Sequence, residues 1–175
     1  GSDRLDPVVP SYEVEHVQSL SRPPSEIPTL VYLGNGDRYQ GLDRLFAERF
    51  PHGVRLRWVA NHIPDPELAA RARSAGFEIR VANTAHEALA LTADAWWGLC
   101  PREDASGYPY KLLTYAMLGL PVLGYRPWSG PVEVSVVGRF GEMEYRGAPA
   151  RLDCTALHRA RERSLERMET LYRSL

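Results

Sequence analysis

The sequence predicts an α/β domain built around a mostly parallel sheet of about six strands. Short apolar segments rich in β-branched residues alternate along the chain with amphipathic segments at helical spacing. The connections between them are short, as in consecutive βαβ units. Several of the apolar segments are hydrophobic nearly throughout, which is typical of strands covered by helices on both faces. These observations indicate a three-layer α/β/α arrangement of the Rossmann-like type.

The predicted strands each run into a turn signal, a proline or a capping residue. In order they are Thr29–Leu33, Val54–Ala60, Phe77–Val81, Trp96–Cys100 and Pro121–Gly124. A further apolar stretch, Val132–Val137, is so short that its periodicity allows either a sixth strand or a short helix.

Two of the predicted helices carry clear start signals. Asp65 suits the N-cap before Pro66, and that helix is ended by Gly76. Thr84 caps the next helix, with Glu87 at the spacing of a capping box. The other predicted helices are Gly41–Phe50, Tyr110–Leu118 and the long amphipathic segment Leu152–Leu175.

The chain of 175 residues is long enough for one domain of ordinary size. Residues 1–28 begin with a Gly-Ser pair typical of a tag remnant and carry five prolines, so we predict an interdomain linker or hinge there, with one short helix at 13–20. Residues 29–150 form the predicted domain. Residues 151–175 form a C-terminal helix that packs on it.

Composition excludes several classes of function. The 21 basic and 22 acidic residues give a net charge of -1, which argues against a dedicated nucleic-acid binder. No apolar run is long enough to span a bilayer. Cys100 and Cys154 are far apart and are predicted to be free thiols in a reducing compartment. No cluster of cysteine and histidine has metal-ligand spacing, so we expect no metal and no resident cofactor.

In an open parallel sheet, ligands bind beyond the carboxyl ends of the strands, at the point where the strand order reverses. The loops at that edge are therefore the candidates for a site. They are residues 34–41, 60–65, 82–86, 101–110 and 124–131.

One of these loops belongs to an informative segment, residues 100–122, CPREDASGYPYKLLTYAMLGLPV. It resembles the signature of retaining GT-B glycosyltransferases of the sucrose-synthase and glycogen-synthase type. In that family a strand ends at Pro-Ser, an acidic loop reaches Glu-Gly-Phe, and a helix carries a second Glu before Ala-Met-Ala-x-Gly-x-Pro-Val. Pro101, Gly107 and Tyr108 match this pattern, as do Gly119 and Pro121. The resemblance implies that the domain is one half of a GT-B fold.

The resemblance implies a donor site on the loop and the helix that follows it. The two acidic places of the family fall on Ser106 and Thr114, and Asp104 is a nearby carboxylate that could replace the first. Gly107 lets the backbone approach a ligand closely, and Tyr108 follows it. Ser106 is equally well interpreted as the N-cap of the helix.

Residues 32–43, YLGNGDRYQGLD, resemble the family's Tyr-x-Gly-Arg-Leu-x-x-x-Lys-Gly-x-Asp, whose Arg and Lys clamp the donor diphosphate. Asn35 and Gln40 hold those two places, with Gly36 on the same loop. Arg38 and Lys111 are cations that could act instead. For Lys111, three residues before Thr114 on one helix face, a solvated side chain is the slightly favoured interpretation.

The resemblance implies that the chain binds a nucleotide-diphosphate sugar, from which the whole enzyme would transfer the sugar to an acceptor hydroxyl. The acceptor-binding N-terminal half would be a separate partner, and this half alone would be inactive. The catalytic residues are unknown. The expected location is the cytoplasm, with a peripheral place at the inner membrane through the other half.

Two alternatives stay open on the sequence. Uncharged residues at four usually charged places suggest a degenerate GT-B domain that acts as a binding or scaffolding module. A non-transferase GT-B enzyme, such as a sugar-nucleotide epimerase, would require a carboxylate and histidine set in the cleft. Fold alone does not decide among them.

Overall fold

The computed structural model describes residues 22–103, 109–128 and 134–151, and these form an open parallel sheet with helices on both faces. The strands are β1 (Thr29–Leu33), β2 (Arg55–Ala60), β3 (Phe77–Val81), β4 (Trp97–Cys100), β5 (Val122–Gly124) and β6 (Val134–Val136). The helices are α1 (Leu42–Phe46), α2 (Pro66–Ser74), α3 (Ala85–Thr92) and α4 (Tyr110–Met117). Short 3-10 turns lie at Arg38–Gln40 and Phe140–Glu142.

The six strands lie in the order β3-β2-β1-β4-β5-β6, and every neighbouring pair is parallel. This is the strand order of a Rossmann-like domain, and it confirms the predicted fold class. Residues 132–137, whose periodicity allowed either a strand or a short helix, contain a strand, β6, which pairs with β5 from Val134 to Val136.

The core consists of two apolar layers, one on each face of the sheet. Neighbouring residues of β1 point into different layers, because side chains alternate along a strand: Val31 packs with the residues of α3 and α4, whereas Leu30 and Tyr32 pack with those of α1 and α2. Even Arg57 in β2 is buried, where its guanidinium pairs with Asp94 at 2.6 Å. The sheet is therefore covered on both faces, as the apolar strands predicted.

The predicted helix starts are confirmed in detail. The Asp65 carboxylate accepts hydrogen bonds from the backbone N–H groups of Glu67 and Leu68, at 2.9 and 3.2 Å. The Thr84 hydroxyl accepts from the N–H of Glu87 at 3.1 Å. The Glu87 carboxylate bonds back to the N–H of Asn83, one residue before the cap.

The helix predicted over Gly41–Phe50 is shorter than expected. α1 ends at Phe46, and residues 48–50 are not helical; the last of these directly precedes Pro51, a place where helical backbone is disfavoured. Phe50 still packs on Phe77, with ring centroids 6.0 Å apart. The spacing of apolar residues thus predicted the buried face correctly and the helix length wrongly.

The end segments are described only in part. The predicted helices at 13–20 and 152–175 lie outside the described residues. Of the predicted linker, residues 22–28 are described, and two hydrogen bonds hold Ser25 on the domain. Its carbonyl accepts from the Trp96 indole N–H at 2.6 Å, and its backbone N–H donates to the backbone carbonyl of Asp94 at 2.8 Å. No helix in the described ranges is long and apolar enough to cross a membrane.

Candidate functional site at the switch point of the sheet

The strand order reverses between β1 and β4, and a cavity opens there at the carboxyl edge of the sheet. The helix after β1 packs on one face of the sheet and the helix after β4 packs on the other. The two connections that lead to these helices therefore diverge and leave a crevice. Its volume is about 540 Å³, within the usual range for a small-molecule site. It is lined by the loops after β1, β2, β3 and β4 and by the starts of α3 and α4.

The loop after β1 is fixed by its own polar contacts. The Trp58 indole donates to the Gly34 carbonyl at 2.8 Å, and the Tyr32 hydroxyl donates to the Asn35 carbonyl at 2.7 Å. The Gln40 amide donates to the Asn35 side-chain oxygen at 3.2 Å. Gly41 ends this loop at φ +74°, and a side chain there would overlap the Pro101 backbone. The loops after β1 and β4 therefore touch, and only glycine permits the contact.

Lys111 brings a positive charge into the cavity. Its side chain is 9% exposed, and its Nζ donates to the Gln40 amide oxygen at 2.5 Å and to the Tyr32 hydroxyl at 3.2 Å. Desolvation is the main cause that lowers the pKa of Lys111 to about 8; the charge of Arg102 lowers it further, while Cys100 opposes the shift. The favoured interpretation of Lys111 as a solvated side chain is therefore wrong.

Thr114 lies one helical turn after Lys111 and also lines the cavity, with 6% of its surface exposed. The next residue, Tyr115, is fully buried beneath the crevice. Its hydroxyl accepts from the N–H of Leu33 at 2.8 Å and lies 3.1 and 3.2 Å from the carbonyls of Val31 and Leu99. Tyr115 thus satisfies backbone groups of β1 and β4 where these strands separate.

Arg102, the second residue after β4, is a further charged group of the lining. It is 6% exposed, and its guanidinium carbon lies 4.9 Å from the centre of the Tyr39 ring and 5.6 Å from that of Trp128. Such distances are those of cation–π contacts. Arg102 is not among the residues that the sequence proposed for the site, although its place just after the strand-end proline was a signal.

The other end of the cavity is apolar with a few amide and hydroxyl groups. It is lined by Asn61, Asn83, Thr84, Ala85, Ala88 and Leu89. Among the lining residues that the structure describes, none is an aspartate, a glutamate or a histidine. In the described ranges no three or more of His, Cys, Asp and Glu are placed to hold a metal ion.

The structure brings together four of the residues that the sequence proposed for the donor site: Asn35, Gln40, Lys111 and Thr114. Gly36 lies outside this cavity, packed against Leu68 and Trp58. The remaining proposed residues lie outside the described ranges; they are Asp104, Ser106, Gly107 and Tyr108.

Two subsidiary interpretations are corrected by the structure. The N-cap position of α4 is Pro109, so Ser106 does not hold it. Arg38, the other candidate cation, is exposed and lines a separate depression beside Asp43 and Asp65. Of the two cations that the sequence left open, the structure places Lys111 in the cavity.

Solved structures similar to this fold include two sugar-phosphate enzymes. Sucrose-phosphate synthase from Thermosynechococcus elongatus is 21% identical with a TM-score of 0.47, over 89% of this chain and 40% of the synthase. The N-terminal domain of trehalose-6-phosphate phosphatase from Candida albicans is 14% identical with a TM-score of 0.41, over 62% of this chain and 30% of the phosphatase. No model of a protein family matches the sequence, and no curated protein is similar to it at a significant level.

The two structural neighbours are similar to this chain at low identity and with TM-scores below 0.5. The chain spans less than half of the length of either. Neither likeness carries an argument about activity, so the interpretation of the cavity depends on its own residues.

Proposed function

We propose that the cavity binds the diphosphate of a nucleotide sugar, as the donor-binding half of a GT-B-type glycosyltransferase. The observation that carries the proposal is the Lys111 ammonium group, which is buried at the switch point and directed to Gln40. The position of Gln40 is the one at which the sequence resemblance has a diphosphate-binding lysine. In this chain a lysine from α4 brings its charge to that same position.

The electrostatics of the empty cavity favour an anion. With a pKa of about 8, Lys111 is mostly protonated at neutral pH, although burial disfavours the charged form. Its partners Gln40 and Tyr32 are neutral groups and leave the positive charge uncompensated. A phosphate oxygen beside Nζ would form a charge-assisted hydrogen bond and offset the cost of desolvation.

The shape of the cavity suits a nucleoside diphosphate. Lys111 and Thr114 lie on one helix face, where they would contact phosphate and ribose, and the Ala85–Leu89 wall would accept an apolar, planar group. In a transferase this arrangement would hold the leaving diphosphate and stabilise the negative charge that develops as the sugar departs. The acceptor would come from a second domain facing the cavity.

The first test is calorimetric titration of the chain with UDP, GDP, ADP and their sugar conjugates. We expect one base to be preferred and Lys111→Met to weaken its diphosphate by about tenfold to a hundredfold, the worth of a charge-assisted hydrogen bond. Arg38→Gln is the matched control, because it removes a positive charge from the exposed depression outside the cavity. Equal losses in both variants, or no binding by the wild type at millimolar ligand, would refute the proposal.

A double substitution tests whether the charge has moved from position 40 to position 111. Gln40→Lys combined with Lys111→Gln exchanges the two interacting groups, whose atoms lie 2.5 Å apart. We expect the exchanged variant to recover most of the affinity that Lys111→Gln loses. Gln40→Lys alone should weaken binding or destabilise the fold, since it puts two ammonium groups in one buried place.

A second candidate is a domain that binds a nucleotide sugar without transferring it. It is favoured by the uncharged residues Asn35, Gln40 and Thr114 and by the lack of carboxylates among the described lining residues. The test is donor hydrolysis or transfer by a protein that includes the acceptor domain. Tight donor binding without turnover would support the module, and turnover would exclude it.

A further inference from the structure

Three hydrogen bonds in series connect the Lys111 ammonium group with the Asp37 carboxylate. Lys111 Nζ donates to Gln40 Oε1 at 2.5 Å, and Gln40 Nε2 donates in turn to Asn35 Oδ1 at 3.2 Å. Asn35 Nδ2 then donates to Asp37 Oδ2 at 2.6 Å. Each amide thus accepts from the lysine side through its oxygen and donates towards the carboxylate through its nitrogen. The amide relay consists of Lys111, Gln40, Asn35 and Asp37.

The two charged ends of the amide relay require the same orientation of both amides. A protonated lysine has only donors, and an ionised aspartate has only acceptors. If the Gln40 amide were reversed, its NH2 group would face the ammonium group. If the Asn35 amide were reversed, its oxygen would face the carboxylate. Hydrogen bonds aligned in a chain also strengthen one another. The relay therefore favours one arrangement, in which an acceptor oxygen is directed at Lys111.

A second contact of Lys111 is oriented by Asn35 as well. The Tyr32 hydroxyl donates to the Asn35 backbone carbonyl at 2.7 Å and accepts from Lys111 Nζ at 3.2 Å. Nζ also lies 4.3 Å from the centre of the Tyr32 ring, at the distance of a cation–π contact. Asn35 thus orients Gln40 through its side chain and Tyr32 through its main chain, and both of these groups hold the ammonium group.

Asp37, the outer end of the amide relay, lies outside the cavity. It is exposed and borders the separate depression beside α1 and α2. It occupies the N-cap position of the 3-10 turn Arg38–Gln40, but its side chain makes no capping hydrogen bond, and its carboxylate accepts from Asn35 instead. The charge of Asp37 is not among the causes of the shifted pKa of Lys111. The connection between the two residues is therefore the hydrogen-bonded chain of amides.

We infer that the amide relay positions Lys111 for the ligand, and that Asp37 is a positioning residue of the cavity although it does not touch the ligand. This inference rests on the proposed function, because it assigns roles around the anion site of that function. Asn35 and Gln40 occupy the places of two diphosphate-binding cations in the sequence resemblance. In this chain they hold the lysine that supplies the charge. Because the ammonium group is already held in the empty cavity, Lys111 loses little side-chain freedom when a phosphate binds.

Two substitutions at Asp37 separate the relay from a simple effect of charge. Asp37→Ala removes the acceptor of Asn35, so the amides and Lys111 regain rotational freedom that ligand binding must then remove. We expect it to weaken the binding of a nucleoside diphosphate by about threefold to tenfold. Asp37→Asn removes the same charge but keeps an acceptor oxygen, so it should retain most of the affinity. Charge alone predicts the opposite sign, because the loss of a carboxylate near a cationic site strengthens the binding of an anion.

The experiment is calorimetric titration of the full chain with the diphosphate that the wild type prefers among UDP, GDP and ADP. Asp43→Ala is the control, since this carboxylate borders the same depression but pairs with Arg71 at 2.7 Å. Asp37→Ala is also combined with Lys111→Met, because a residue that acts through Lys111 has no effect once that lysine is gone. Asp37→Ala should therefore weaken binding in the wild-type background and leave the affinity of Lys111→Met unchanged.

Urea unfolding of the same variants tests the relay without a ligand. Asp37→Ala should lower the urea midpoint in the wild-type background. In the Lys111→Met background the decrease should be smaller, because the chain of hydrogen bonds no longer ends on a charged donor. If Asp37→Ala does not fold, Asp37→Lys, which also lacks an acceptor, takes its place in each comparison.

Each failure has a distinct meaning. If Asp37→Ala raises the affinity, leaves it unchanged or lowers it equally in both backgrounds, the inference is overturned and the proposed function stands. If the wild type binds no nucleotide, the proposed function fails and the unfolding measurements decide the relay. A smaller decrease of the midpoint in the Lys111→Met background then supports the relay, and equal decreases overturn it.

Discussion

Replacing Lys111 with methionine should stabilise the empty domain at neutral pH while weakening its affinity for diphosphates. The pKa of Lys111 falls from 10.5 in the unfolded chain to about 8 in the fold, and this difference corresponds to a cost of about 3 kcal/mol when the charged group is buried. Methionine fills similar space without the charge. The lost hydrogen bonds to Gln40 and Tyr32 offset part of the gain, at about 1 kcal/mol each.

The dependence on pH makes this prediction sharp. Below pH 8 the lysine is protonated in both states, so the folded state bears the full cost. Between pH 8 and 10.5 the unfolded chain still holds a proton that the folded chain has lost, so the stability of the wild type rises with pH. The methionine variant lacks this rise. The difference in unfolding free energy between the two proteins should therefore change by about 2 kcal/mol from pH 7 to pH 10.

The assay is urea unfolding of both proteins, followed by circular dichroism, at several pH values from 7 to 10. Taking the difference between them cancels the titration of all other groups that the two proteins share. A difference that stays constant over this range would refute the reasoning, because it would mean that Lys111 titrates alike in the folded and unfolded states. Gln40→Leu is a useful companion, since it removes the acceptor of Lys111 and should lower stability.

Further predictions concern the cavity and its support. At pH 8.5 the binding of a nucleoside diphosphate should be coupled to the uptake of as much as about 0.8 proton by Lys111. The uptake is measured from the way the binding heat depends on the ionisation heat of the buffer, and Lys111→Met should show no such uptake. Tyr115→Phe should lower the free energy of unfolding by about 1–3 kcal/mol, because the buried Leu33 N–H loses its partner; an unchanged urea midpoint would contradict this. Gly98→Ala should destabilise by about 1–3 kcal/mol in thermal unfolding, since its Cβ would lie 2.5 Å from the Tyr115 ring, and the loss should shrink in a Tyr115→Leu background. Asp65→Ala should cost about 1 kcal/mol through the lost cap of α2, with nucleotide affinity unchanged.

The sequence predicted the features that depend on interactions between residues close together in the chain. The cap at Asp65 and the capping-box contact between Thr84 and Glu87 depend on residues two to four positions apart, and both form as expected. The parallel sheet followed from the alternation of apolar segments and helices. From that topology alone, the loops after five strands were expected to line one site. The loops after β1, β2, β3 and β4 do so, whereas no described residue of the loop after β5 is in the lining.

The charges of the cavity could not be predicted in the same way, because they depend on contacts between distant parts of the chain. Lys111 contacts groups 79 and 71 positions earlier in the sequence, and these contacts determine its burial. A lysine in the first turn of a helix gives no local sign of them. Arg102 is similar: the rings that hold it come from the loops after β1 and β5, and a single arginine beside Glu103 resembles any surface pair.

Because the Tyr115 hydroxyl binds the backbone N–H of Leu33, hydrogen exchange at that amide reports on the opening of the crevice. β1 shares five register pairs with β2 but two with β4, so the halves β3-β2-β1 and β4-β5-β6 meet along a short ladder that ends at the cavity floor. Beyond that ladder the Leu33 N–H is held by Tyr115, a side chain of the opposite half. Deuterium can replace that hydrogen once the two halves separate locally. The exchange rate at Leu33 therefore measures how often the crevice opens, and a ligand that bridges both halves will slow it.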